Sequence, residues 1–375
     1  MGNSFDLFSL LGVLIAIQTL AQLNKKRSQF WDERVTVGDR ELATRIALFI
    51  LVPVGVLLHE IGHSLATWQV GGEVVAFRWF YFSGYIIPSG DFSFAEDWWI
   101  FFAGNLVSIL LAILPIPLIF SASKRIIGEI AYKFVSIQAV YSLVYYPLYS
   151  AATKHGDWIR IYDLNFQPVV SIVAIAHIGI LGGLWQLYRS QRMVEWRLAR
   201  FPNDLATWKQ LKIESANRPS DLQPQLDLVY FLLEHDELTE AKRRARRIYR
   251  SYPQEISVKV LQVFIDGYNK ESSTKVIKTA QKLLNCQLSD RDRVIIYRVL
   301  GSVSYKTGKH HEALDYVNRG LAIDPQNEML LYHRAVIYYL LSEKDIAIAN
   351  IDLAVASITN EDLRETLLQL RLNLD

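Results

Sequence analysis

His59-Glu60-Ile61-Gly62-His63 lies inside Ile46–Gln69, an apolar stretch in which Glu60 is the single formal charge. On a helix, positions i and i+4 share a face, so both imidazoles can reach one metal ion. Glu60 projects beside them, where a carboxylate can take a proton from a metal-bound water. Zn²⁺ lowers the pKa of that water from ~15.7 to ~7 and so makes a nucleophile at neutral pH. A catalytic zinc site usually has three protein ligands and one open position, so a third ligand is owed. An ionisable group at membrane depth is expensive and points to function. Two histidines and a carboxylate there without a metal would be three poorly satisfied groups.

Outward from this stretch the chain reads as membrane-spanning. A bilayer crossing needs ~20 apolar residues. Five stretches qualify as candidates: Leu7–Leu23, Ile46–Gln69, Trp98–Phe120, Phe134–Thr153 and Leu164–Tyr188. The first has no basic segment before it and no small-residue cleavage site, which predicts an uncleaved anchor. Asp6 stands where a myristoylation signal has Ser or Thr, which argues against lipidation. Between the second and third stretches, Gly71–Asp97 is rich in aromatic and β-branched residues bounded by Gly and Pro, a strand-like insertion. An aromatic content of 12% excludes disorder, and the lone Cys286 excludes a disulfide scaffold. A net charge of +2 gives no argument for nucleic acid.

His-Glu-x-Gly-His followed by Ser64-Leu65-Ala66 and then Gly71-Gly72 resembles the site-2 protease family of intramembrane zinc metalloproteases. The family's second element, roughly Ala-Gly-Pro-x-x-Asn, is matched by Ala103-Gly104-Asn105-Leu106-Val107-Ser108, with Asn105 in place of Pro and Ser108 in place of Asn. Its third ligand is an Asp in a Leu-Asp-Gly element behind prolines. Here Pro147 is followed by His155-Gly156-Asp157-Trp158, with Gly before Asp instead of after it. The resemblance covers Ile46–Tyr188. It implies a zinc metalloendopeptidase with one Zn²⁺ held by His59, His63 and Asp157, and Glu60 as the general base. His155 and Asp163 stand as alternative third ligands, and helix N-capping is the alternative role of Asp157. The resemblance also implies substrate contacts at Val74, Phe77, Gly104 and Asn105, with the strand-like segment pairing to an unwound substrate peptide. His177 reads as a hydrogen-bonded packing residue.

Beyond Tyr188 the pattern changes to charged amphipathic helices. Tyr297, Leu300, Gly301, Ala313 and Pro325 fit a 34-residue tetratricopeptide repeat, and Leu331, Arg334, Ala335, Tyr338, Ala347 and Ala354 continue it. Ala241 and Pro253 keep the spacing of Ala313 and Pro325, and a degenerate repeat falls over Ser257–Leu288. Such repeats present a surface for a protein or peptide partner. The basic run Lys242–Arg247 reads as a solvated helix face, or one turned to acidic lipid or protein.

The expected architecture is therefore mainly α: a multi-pass transmembrane helical domain with a short strand-like insertion, then an α-solenoid. Residues 1–45 form an anchor and basic linker, 46–190 the membrane-embedded metalloprotease domain, 191–204 a linker and 205–375 the repeats. The expected function is intramembrane hydrolysis of membrane-protein substrates, with the repeats recruiting or gating them. The alternative is a non-catalytic scaffold whose repeats bind partner proteins. A midplane-metal transporter has no broken, repeated segments to support it. Lys25, Lys26, Arg27, Arg34, Arg40 and Arg45, then Lys124, Arg125, Arg189 and Arg192, put the repeats in the cytoplasm by the positive-inside rule. The same rule sets His59 and His63 towards the exterior, whereas the family resemblance implies a zinc nearer the cytosol.

Overall fold

The computed structural model describes residues 7–32, 35–200, 202–268 and 273–374. The lipidation reading at Asp6 and the charge of Arg34 lie outside the described residues. The chain divides into two compact units, Met1–Ser190 and Gln191–Asp375.

In the first unit, helix α1 (Leu7–Lys25) is followed by one helical turn, Arg27–Phe30. Helix α2 runs unbroken over Val37–Gln69. It starts earlier than the hydropathy pattern implies because Thr36 and Asp39 form a capping box, each closing a free backbone N–H at the helix start. Ala47–Leu51 is a π-helical turn within it. Strands β1 (Glu73–Trp79) and β2 (Gly84–Ser89) pair antiparallel as a two-stranded hairpin, with a register shift between Val74 and Ala76. A second capping box, Ser93 with Glu96, opens α3 (Phe94–Ile113), which the shorter helix Ile116–Ser121 extends. Next come α4 (Arg125–Val140), a second π-helical turn at Tyr141–Tyr145, α5 (Tyr146–Thr153), the short α6 (Asp157–Ile161) and α7 (Val169–Tyr188).

Among the described residues, three helices are long and apolar enough to cross a membrane: Val37–Gln69, Phe94–Ser121 and Val169–Tyr188. The expected span Phe134–Thr153 is helical throughout but is not one of the three. There α4 passes through the π-helical turn directly into α5, with Pro147 in its first turn. The expected span Leu7–Leu23 lies within the 19-residue α1.

The second unit is a series of helix pairs. It begins with α8 (Gln191–Leu198) and α9 (Pro202–Asn217). The expected linker 191–204 is thus largely helical, and Val194 and Leu198 of α8 are buried in the core of the second unit. The pairs follow: α10 (Leu222–Glu234) with α11 (Leu238–Ser251), α12 (Ile256–Tyr268) with α13 (Ser273–Leu284), α14 (Asp290–Lys306) with α15 (His310–Ile323), and α16 (Glu328–Leu340) with α17 (Lys344–Ser357). Helix α18 (Glu361–Leu372) closes the series. Small residues sit where paired helices touch. Ala241, Ala313, Ala335 and Ala347 are buried, and a methyl on Gly301 would lie 2.8 Å from Val317 Cγ2. This is a tetratricopeptide-like helical repeat. The degenerate repeat over Ser257–Leu288 is the α12–α13 pair, apart from its undescribed residues 269–272.

Candidate metal centre

The helical spacing of the five-residue motif has its expected consequence on α2. The rings of His59 and His63 stand edge to face with centroids 4.5 Å apart, and their Nε2 atoms are 2.9 Å apart. Asp157, the first residue of α6, brings Oδ2 to 3.1 Å from His59 Nε2 and 3.2 Å from His63 Nε2. All three residues are buried, and they form a group able to hold a metal ion.

Neighbouring groups fix these atoms. His63 Nδ1–H donates to the Ile100 carbonyl at 2.7 Å. A carbonyl can only accept, so in the neutral ring the Nε2 lone pair points at the other two residues. His59 Nδ1 is 3.0 Å from Ser108 Oγ. Asp157 Oδ2 accepts from Asn105 Nδ2 at 2.9 Å and from the Tyr146 hydroxyl at 3.1 Å. The Tyr146 oxygen in turn accepts from the Asp157 backbone N–H at 3.3 Å. Such outer partners orient metal ligands and set their basicity.

This donor set fits Zn²⁺. The three ligand-atom separations, 2.9, 3.1 and 3.2 Å, are close to the ~3.3 Å edge of a tetrahedron with bonds of ~2.0–2.1 Å. Two imidazole nitrogens and one carboxylate oxygen leave a fourth position for a non-protein ligand. Lone pairs and a carboxylate converging in a buried site repel one another unless a cation lies between them.

Close helix contact makes the convergence possible. A Cβ on Gly62 would lie 3.0 Å from the Ala103 carbonyl oxygen and 3.1 Å from Gly104 Cα. One on Gly104 would lie 2.3 Å from His63 Nε2. The Gly of the first motif and the Ala-Gly of the second therefore meet where α2 crosses α3, as small residues allow. Gly156 has φ +99°, a left-handed conformation that L side chains rarely adopt, and a Cβ there would lie 2.7 Å from Ser150 Oγ. That turn directs Asp157 to the histidines.

Glu60 is buried on α2 beside the hairpin. A Cβ on Gly84 of β2 would lie 2.8 Å from Glu60 Oε1. The hairpin is tied to α2 by Trp79 Nε1, which donates to the Pro53 carbonyl at 3.2 Å, and by the Tyr81 hydroxyl, which donates to the Phe49 carbonyl. Val74 is half-buried on β1 opposite Pro88, and the exposed Phe77 pairs with Ile86. Asn105 and Gly104, expected as substrate contacts, instead touch Asp157 and His63. Asn105 Oδ1 remains buried without a partner. Neither alternative ligand joins the group. His155 is exposed, and Asp163 Oδ1 accepts from the Asn165 N–H at 3.0 Å. His177 Nε2–H donates to the Leu143 carbonyl at 2.8 Å, and its ring stacks on Trp158. Tyr146 is the residue that sequence reasoning missed; the tyrosine-rich run ahead of Pro147 was the available signal.

No protein-family model matches the chain, and no curated protein matches it. Among solved structures it is similar to yeast Tom70, at 12% identity and a TM-score of 0.34 over 76% of this chain. It spans about three fifths of that structure's length, 61%. It is also similar to the P58(IPK) TPR domain, at 12% identity and a TM-score of 0.25, covering 97% of this chain and 88% of that one.

Proposed function

We propose that residues 37–188 form a membrane-embedded zinc metalloendopeptidase, and that the repeats bring its membrane-protein substrates or a regulating partner to it. One observation carries this reading: His59, His63 and Asp157, distant in sequence, converge to a ligand triangle beside the buried Glu60. When bound there, Zn²⁺ supplies Lewis acidity that polarises a carbonyl and acidifies water. His59, His63 and Asp157 hold the ion, with Ser108, Ile100, Asn105 and Tyr146 fixing their orientation. Glu60 accepts the proton of the attacking water and passes it to the departing amine. Among the described residues the hairpin beside Glu60 is a two-stranded sheet, so its outer edges can receive an unwound substrate strand. Three long apolar helices support a membrane setting, and the charge bias near Lys124, Arg189 and Arg192 supports cytoplasmic repeats.

A second reading, a non-catalytic scaffold, is favoured by the repeat unit, whose stacked helix pairs offer a surface for a protein partner without any chemistry. Purified protein separates the two. The wild type should contain about one zinc and cleave a membrane-protein substrate. Glu60→Gln should keep the zinc and lose cleavage, because the base is not a ligand. A wild type without zinc would leave the scaffold reading standing.

A further inference from the structure

At the C-terminal end of α1, Asn24, Lys25, Arg27, Ser28, Trp31 and Lys124 line an open pocket of about 680 Å³. Three of the six are cations, and among the described residues none of the lining is a carboxylate. Lys124 is held in place: its Nζ donates to the Trp31 carbonyl at 3.1 Å and lies 5.7 Å from the indole centroid. Asp32, the next acid along the chain, is not among the lining residues. The pocket is therefore electropositive, walled by an indole of the kind that settles at membrane–water interfaces.

A second feature leads into it. Leu10, Leu14 and Ile17 are exposed at 49%, 53% and 59% and share one face of α1. Asn24 follows Ile17 by seven residues, two helical turns, and so continues that face to the pocket. A cationic pocket at the end of an exposed aliphatic track matches an amphiphile with an anionic head and an apolar tail.

We propose that this pocket binds the phosphate headgroup of an anionic phospholipid, whose acyl chain lies along α1. The inference goes beyond the peptidase reading and rests only on its membrane setting. Lys25, Arg27 and Lys124 would share the phosphate, while Asn24 and Ser28 offer neutral hydrogen bonds. The aliphatic track distinguishes a lipid from free phosphate, which has no use for it.

Native mass spectrometry of the full-length protein from neutral detergent tests this. The probes are phosphatidylglycerol, phosphatidylcholine with the same acyl chains, and glycerol 3-phosphate. Phosphatidylglycerol should be retained about tenfold over phosphatidylcholine, since each cation near an anionic headgroup contributes several-fold. Glycerol 3-phosphate should not be retained. Lys25→Gln/Arg27→Gln/Lys124→Gln should abolish the preference, and Lys259→Gln/Lys278→Gln/Lys282→Gln, the same charge change on the repeat unit, should leave it intact. The zinc content of the pocket variant should match wild type, so failure here is separable from failure of the peptidase reading. A preference that survives in the pocket variant overturns the site, and glycerol 3-phosphate retained as well as the lipid overturns its assignment to a lipid.

Discussion

Gly104→Ala is a one-carbon test of the candidate metal centre. The added Cβ would stand 2.3 Å from His63 Nε2, 2.5 Å from Cε1 and 2.7 Å from Cδ2. The whole edge of the ring faces it, so flipping the imidazole about its own axis gives no relief. Ordinary contact begins near 3.4 Å. His63 or the α3 backbone must therefore move by about 1.1 Å, the shortfall at Nε2. That motion is large against the 2.9 and 3.2 Å separations that hold Nε2 to His59 and Asp157. Ligand distances in metal sites tolerate only about ±0.2 Å. Zinc affinity should fall at least as far as when an outer partner is removed, about 10–100-fold. Helix propensity works the other way, since Ala is favoured over Gly by about 1 kcal/mol in a helix interior. Gly179→Ala on α7 is the matched control, because a Cβ there meets nothing within 4 Å. Competition titration against a chromophoric zinc chelator reads the affinity, and circular dichroism checks helix content. Zinc binding by Gly104→Ala within about twofold of wild type would refute the geometry argued for this site, because two-fold is far below the 10–100-fold expected.

Two further perturbations probe groups outside the metal-binding motif. Tyr146→Phe removes the hydroxyl that donates to Asp157 Oδ2 and accepts from the Asp157 N–H; the same titration should show about 10–100-fold weaker zinc binding, and unchanged affinity would mean that Tyr146 does not position the ligand. His333 in α16 is buried and has its pKa lowered to about 3, by burial first and then by the Arg298 and Lys306 charges. The unfolded imidazole titrates near 6.5, so the stability tied to the neutral ring is complete above that pH and is lost as pH falls from 6.5 towards 3. The slope in that window is about 1.4 kcal/mol per pH unit, or about 2 kcal/mol between pH 6.5 and 5. Denaturant titrations of wild type and His333→Leu should diverge by that much over the interval, and parallel pH dependences would count against a buried neutral His333.

How far the site was legible depends on which geometry each residue obeys. His59 and His63 follow the regular helical period, so spacing alone places them on one face. The crossing of α2 and α3 also left a mark, because Gly62 and Ala103-Gly104 are the small residues it needs, yet nothing in the sequence says that these two segments touch. The choice between His155, Asp157 and Asp163 turns on the backbone at Gly156. Its φ of +99° aims the chain at the histidines, and from sequence a Gly before an Asp reads equally well as a loop or a helix cap. Tyr146 was hidden by the π-helical turn at Tyr141–Tyr145. A wider turn shifts the phase of every later residue, so counting by 3.6 puts the wrong side chain towards Asp157.

The span expected at Phe134–Thr153 is helical and uncharged, but its Tyr and Ser residues dilute its apolar character below that of the three long apolar helices. The linker expected at 191–204 failed for the opposite reason. Its charged residues suggested solvent, but Met193, Val194 and Leu198 of α8 are buried, and three apolar positions suffice to dock a short helix on a repeat core. That error comes from averaging over a window. The packing is decided by a few residues whose direction depends on local helical phase, and at this candidate metal centre that phase is set by π-helical turns and by glycines that let helices touch.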